Sequence, residues 1–129
     1  MQFMILTYET QDAFDARTDP KRTPGYYAAW TAYGQALRDA AVLVGGAGLE
    51  PPQTATTVRV RDGKRLVQDG PFADAKEQLG GYFVVEAPSL DKALEWAAKC
   101  PAATDGGVEV RPLITPVARA RYEFSAPGK

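Results

Sequence analysis

The chain contains no histidine and only one cysteine, Cys100, in 129 residues. The missing histidine removes the commonest general base, the commonest metal ligand and every Ser-His or Cys-His nucleophile pair. A lone cysteine excludes an intramolecular disulfide and a cysteine-built metal site. Nor is there an apolar run near the roughly 20 residues that span a bilayer, so a membrane is not an expected partner. The first residues lack the basic start of a secretion signal, which leaves a cytoplasmic address by elimination. Fifteen basic and sixteen acidic side chains give a net charge of −1, with no block of one sign, and this argues against a nucleic-acid partner.

What is present suits a single compact domain, since 45% of residues are hydrophobic and 24% charged. Residues 2–8 read as a strand, with Phe3, Ile5 and Thr7 on one side and Met4, Leu6 and Tyr8 on the other; both faces are apolar enough to want cover. The polar segment 9–22 reads as a long loop. Thr23 followed by Pro24 suits an N-cap and first helical position, and Tyr26, Trp30, Tyr33, Leu37 and Ala40 then mark one stripe of a helix reaching about residue 41. Val42-Leu43-Val44 begins a second strand. The glycines at 45, 46 and 48 do not open a phosphate loop, because Leu49-Glu50-Pro51-Pro52 cannot start the helix such a loop needs. They suit bulges or close backbone approach instead.

Asp62-Gly63 predicts a two-residue hairpin turn that sets Val58 opposite Val67 and Arg59 opposite Leu66. Arg59, Arg61, Lys64 and Arg65 make its rim basic. Residues 82–87 form another strand without polar alternation before Glu86. Ser89 then caps a helix whose inward face is expected to be Leu90, Ala93, Leu94, Ala97 and Ala98, with Trp96 outside as a candidate partner surface. The last strand covers 108–114. The order is β-α-β, an inserted hairpin, then β-α-β, which predicts an α+β domain of the ferredoxin-like βαββαβ kind over residues 1–115, with a tail at 116–129. Both helices of that architecture cover one sheet face. A second copy is the simplest cover for the other, so a homodimer is expected, its sheets packed face to face as a dimeric α+β barrel.

The densest chemistry lies in Asp69-Gly70-Pro71-Phe72-Ala73-Asp74-Ala75-Lys76-Glu77-Gln78-Leu79-Gly80-Gly81-Tyr82. Pro71 fixes φ and Gly70 frees it, so the turn can present Asp69 rigidly or let its carboxylate bond amides two residues on. Asp74 and Glu77 have the spacing of a capping box on a single helical turn at 74–78. Asp69 and Glu77 are the candidate acid–base groups. Tyr8, Phe72, Lys76 and Tyr82 are the candidate ligand contacts, with Lys76 suited to an anionic group and the rings to a pocket wall. No clustered ligand spacing is visible, so neither a metal nor a cofactor is expected.

This segment resembles the DGPF signature of YCII-related proteins. The likeness extends over most of residues 1–115, through the strand ending in Tyr8, Gly45-Gly46-Ala47-Gly48-Leu49, Thr57-Val58-Arg59, Lys76 to Tyr82 and Ala93-Leu94-Glu95-Trp96-Ala97. It implies the dimeric α+β barrel and, for some members, a link to extracytoplasmic-function sigma factors. The histidine–aspartate dyad proposed for enzymes of the broader group cannot be carried by a chain without histidine. Two functions follow as expectations: a ligand-sensing or accessory module with a possible sigma-factor partner, or a cofactor-independent acid–base enzyme for a small polar or carbonyl metabolite.

Overall fold

A computed structural model describes residues 1–119. The strands are β1 (Gln2–Thr10), β2 (Leu43–Gly48), β3 (Thr56–Arg61), β4 (Lys64–Asp69), β5 (Glu77–Glu86) and β6 (Gly107–Pro112), and the helices are α1 (Gln11–Ala16), α2 (Thr23–Asp39) and α3 (Leu90–Ala98). Four strands make one antiparallel sheet in the order β2-β5-β1-β6, while β3 and β4 pair only with each other. This is the expected ferredoxin-like α+β arrangement with an inserted hairpin. No helix among the described residues is long and apolar enough to cross a membrane.

Strict alternation along β1 decides which side is core. Phe3, Ile5 and Thr7 are buried, whereas Met4, Leu6 and Tyr8 are only half-buried. Leu43, Phe83 and Val85 join the buried side, where Trp30, Tyr33 and Leu37 of α2 and Ala93 of α3 pack over them. Trp30 stacks on Phe83 at 6.2 Å between ring centres, and Tyr33 meets the same ring edge-on at 5.3 Å. Ring pairs of this kind add about 0.5–1.5 kcal/mol beyond burial.

Several expectations need correction. The segment 9–22 is not a plain loop: β1 runs on to Thr10, whose side chain accepts from the Ala13 N–H at 3.2 Å and starts α1. Thr23 does not cap α2. It is the first helical residue, and its hydroxyl faces the carbonyls at the end of α1, lying 2.7 Å from that of Asp19 and 3.1 Å from those of Ala16 and Arg17. Ala40 is exposed, just past the helix end. In α3, Ser89 caps as expected, accepting from the Lys92 N–H, but Leu90 and Leu94 are 49% and 45% exposed and Ala98 also faces outward. Trp96 packs against the core, and its carbonyl accepts from the Tyr33 hydroxyl at 2.9 Å, so it is not a free outer surface. Small Ala93 and Ala97 let the helix approach the sheet closely, and the leucines end up on its flank.

Gly45 and Gly46 behave as read, whereas a Cβ at Gly48 would meet open space. The β2–β5 register slips between Leu43 and Gly45, and a Cβ at Gly46 would stand 2.6 Å from the Tyr82 carbonyl oxygen. Beyond β6 the chain turns back along the Gln2 end of the sheet. Leu113 N–H bonds the Gln2 carbonyl, Gln2 and Val117 bond each other twice, and Arg119 donates to the carbonyls of Leu43 and Ala41. This strap spans from the β6 edge to the β2 edge. The rest of the 116–129 tail, with Tyr122 and Phe124, lies outside the described residues.

Candidate functional site

The candidate residues of the signature segment sit at one end of the sheet, and none of them lines the cleft described below. Asp69 closes β4 opposite Thr56 and is exposed, as are Phe72 and Lys76; Glu77 opens β5 opposite Thr10 and is half-buried. The Arg59 guanidinium covers the Phe72 ring at 4.6 Å. Backbone bonds hold the turn: Gly70 N–H donates to Ala55 O and the Thr57 hydroxyl to Gly70 O, both at 2.8 Å. Gly70 has φ +107°, the left-handed conformation a glycine takes without strain. No helical turn forms at 74–78, and hence no capping box. Instead the Gln78 side-chain amide bonds the carbonyls of Ala73 and Ala75, each at 2.9 Å.

Tyr8 and Tyr82 lie on the open sheet face. Leu6 pairs with Tyr82 and with Glu109, and burial followed by the nearby Glu109 carboxylate raises the Tyr8 pKa. These two rings share a surface with Met4 and Leu6, and they mark the face that lacks helices.

The most elaborate polar arrangement is elsewhere, on the helix side of the same sheet end. Glu9 continues the buried register of Phe3, Ile5 and Thr7 and is only 2% exposed. Arg17, just past α1, reaches its Oε2 with Nη2 at 2.8 Å, and the Tyr26 hydroxyl donates to its Oε1. The Arg17 Nε in turn donates to the Tyr26 hydroxyl at 3.0 Å, Nη2 to Gly80 O at 3.2 Å, and Nη1 to Leu49 O. The guanidinium also lies 4.8 Å from the centre of the Phe14 ring. Burial, then the bond to Glu9, raises the Tyr26 pKa well above the usual tyrosine range, so this phenol stays protonated at any ordinary pH.

A bulge makes room for the carboxylate. Thr7 pairs with Gly81 but Tyr8 with Leu79, which leaves Gly80 as the extra residue of β5. A Cβ at Gly80 would lie 1.8 Å from Glu9 Oε2, so only glycine fits beside the ion pair. Gly80 is thereby explained by packing around a buried charge, and Gly81 by the β2 backbone, since a Cβ there would stand 2.8 Å from the Ala47 carbonyl oxygen.

Glu9 and Tyr26 form the polar wall of a cleft of about 110 Å³, completed by Ala13, Ala29, Trp30, Pro101, Ala102 and Asp105. Each carboxylate oxygen has two acceptor directions. Arg17 and Tyr26 use one on each Glu9 oxygen, leaving acceptor capacity beside an aromatic and methyl-lined wall. Among the described residues no group of three or more Asp, Glu or Cys is gathered to hold a metal ion. The sequence reading passed over this cluster because its members stand 8, 9 and 17 positions apart. One signal was available: a carboxylate at the next position of a buried alternation needs a partner.

Comparison with known proteins agrees with the family and the fold. The YCII-related domain family matches residues 1–117. The chain belongs to that family. This YCII-related chain is 45% identical over 69 residues to an uncharacterised protein of Rhizobium meliloti, a match covering 52% of the chain and 56% of that relative, so the chain spans only about half of the relative's length. Among solved structures it is similar to 5-chloro-2-hydroxyhydroquinone dehydrochlorinase from Burkholderia phenoliruptrix, determined with 2,5-dihydroxybenzoquinone, at TM-score 0.50 and 21% identity, covering 88% of this chain and 93% of that one. At that identity the likeness speaks for the fold.

Proposed function

We propose that this YCII-related protein is a cofactor-free small-molecule-binding module of sensing or accessory type, with its ligand held in the cleft beside Glu9 and Tyr26. The supporting observation is a buried, charge-paired carboxylate that keeps acceptor capacity toward an aromatic-lined space. A closed cavity near 150 Å³ accommodates benzene, so a cleft of about 110 Å³ that opens to solvent suits a short polar molecule or a small ring with one edge in water. Glu9 and Asp105 favour neutral ligands with hydroxyl or amine donors and repel anions. The reading is tested by titrating the protein with hydroquinone, catechol and benzoate, following tryptophan emission and melting temperature. Neutral hydroxylated rings should raise the melting temperature and benzoate should not. Ala29→Leu, which fills the cleft from an exposed helix position, should abolish the response; an unchanged response in that variant places the ligand elsewhere.

A second reading is the cofactor-independent acid–base enzyme, favoured by Glu9 and Tyr26 sharing one cleft, with Asp69 and Glu77 outside its lining. Arg17 and Tyr26 each hold one Glu9 oxygen in place, an arrangement that suits holding a ligand more than exchanging a proton, which ranks catalysis below binding. Turnover of a bound ring, lost in Tyr26→Phe, would reverse that ranking. The homodimer belongs to the same proposal: a second copy would cover Tyr8 and Tyr82 and bring the Asp69 to Tyr82 segment to the rim of a shared cleft, with Phe72 and Lys76 as its outer contacts. A sigma-factor partner is what the family resemblance adds, and co-purification from the native host checks it; the cytoplasmic address stays a proposal from the sequence.

A further inference from the structure

Two carboxylates share the cleft in opposite states. Glu9 is buried, with Arg17 Nη2 at 2.8 Å from one oxygen and the Tyr26 hydroxyl on the other, so its charge is balanced inside the fold. Asp105 lines the same cleft but is exposed, and among the described residues its carboxylate has no hydrogen bond or ion pair. No lysine or arginine stands among the described lining residues to balance it. One negative charge at the rim therefore has no partner within the described chain.

The backbone around Asp105 is pinned on both sides. Before it, Pro101–Ala103 makes one short 3-10 turn, and the Ala103 N–H bonds the Cys100 carbonyl at 3.0 Å. After it, the Gly106 N–H bonds the Ala102 carbonyl at 3.0 Å, and a Cβ at Gly106 would stand 2.1 Å from the Tyr8 carbonyl oxygen. Glu9 follows Tyr8 in β1, so this close approach, which only glycine permits, is what brings the two carboxylates to one cleft. Aspartate is common in turns because its side chain bonds its own backbone. Here it bonds none, so turn chemistry does not explain the residue.

We propose that Asp105 selects the outer end of the ligand, and that the ligand class is a small phenolic amine: its hydroxyl donates to the free acceptor positions of Glu9, and its primary ammonium group lies against Asp105 at the rim. This rests on the ligand reading above and carries it from neutral rings to a ring with one added cation, bound more tightly still. Burying a charge is costly and Glu9 already has its cation, so the hydroxyl goes inward and the ammonium stays at the wet edge. Isothermal titration of wild type and Asp105→Asn with para-hydroxybenzylamine, its uncharged counterpart para-hydroxybenzyl alcohol, and benzylamine tests it. Wild type should bind the hydroxybenzylamine about three- to fivefold tighter than the alcohol, the scale of one partly exposed ion pair, and the advantage should shrink as salt rises. Asp105→Asn should equalise the two while leaving the alcohol's affinity and the melting temperature of the free protein unchanged. Benzylamine, lacking the hydroxyl that Glu9 receives, should bind more weakly than hydroxybenzylamine; equal binding overturns the orientation. Equal affinity of wild type for amine and alcohol, or an amine preference that survives in Asp105→Asn, overturns the role of Asp105 and spares the cleft. Binding of none of the three overturns both.

Discussion

The two ends of the signature segment behave in opposite ways. At Asp69-Gly70-Pro71-Phe72 the side chains are exposed and the backbone does the holding, through Ala55, Thr57 and Gly70. At Gly80-Gly81 there are no side chains to offer, yet Gly80 borders Glu9 and Arg17, which with Tyr26 form a cluster that side chains hold nearly alone, and Gly81 lies against the β2 backbone. The conspicuous half of the motif is therefore free to meet something outside the chain. The inconspicuous half is tied to the interior. One short segment thus does two unrelated physical jobs within a dozen residues.

The sharpest way to break this contrast is to remove a partner from the buried half. Arg17→Met leaves the Glu9 carboxylate without its cation in a site where their side chains are 12% and 3% exposed. A stranded buried charge costs about 3–5 kcal/mol, which urea denaturation should show as a large loss with the slope of the transition kept. Next comes Gly80→Ala. Its methyl would collide with Glu9 Oε2, and the carboxylate cannot swing aside because Arg17 and Tyr26 hold both oxygens. A cost of about 1–3 kcal/mol is expected from such overpacking. If Gly80→Ala is neutral, the ion pair is less firmly placed than its bonds imply.

Alkali provides a milder probe of the same interior. Burial pushes the Cys100 thiol up to about 12 from 9.0, so the fold binds that proton more tightly than the unfolded chain does. The associated stability is fully present below pH 9 and is lost as the pH rises toward 12. Tyr26 and Tyr33, also raised by burial, add to the loss above pH 10. The urea midpoint should hold steady to about pH 8.5 and then fall, by an amount equivalent to about 1–2 kcal/mol near pH 10.5. Cys100→Ala should flatten the first part of that fall.

Much of the architecture was legible because it is periodic. The β1 alternation, the Trp30-Tyr33-Leu37 stripe and the Asp62-Gly63 turn each express their geometry in adjacent residues, and the Val58–Val67 register follows from turn length alone. What escaped was non-local. Helix α1 is six residues long, and only Phe14 and Ala16 in it are buried, too few to form a stripe. In α3 the size order of apolar residues misled, since close packing selects alanine over leucine. The Glu9–Arg17–Tyr26 cluster comes from a strand, a helix end and a second helix that only the folded chain brings together. Conversely, the turn that looked most chemical in the sequence lies open on the surface.

The smallest expected effects fall on that turn, and their smallness is informative. Asp69→Asn removes a charge from an exposed strand end that supports no bond of the turn, so stability should stay within about 0.5 kcal/mol of wild type. Phe72→Ala gives up its contact with Arg59, about 0.5–1 kcal/mol, and this is confined to the base of the hairpin. Measured beside Arg17→Met in the same denaturant series, the pair should scarcely move. A loss above about 1.5 kcal/mol for Asp69→Asn would mean that its carboxylate braces the turn after all, and the contrast between the two halves would collapse. With stability unchanged, any loss of self-association or ligand response in Asp69→Asn or Phe72→Ala has to arise beyond the single folded chain. Stability and association measured on one protein sample therefore separate a structural turn from a contact surface.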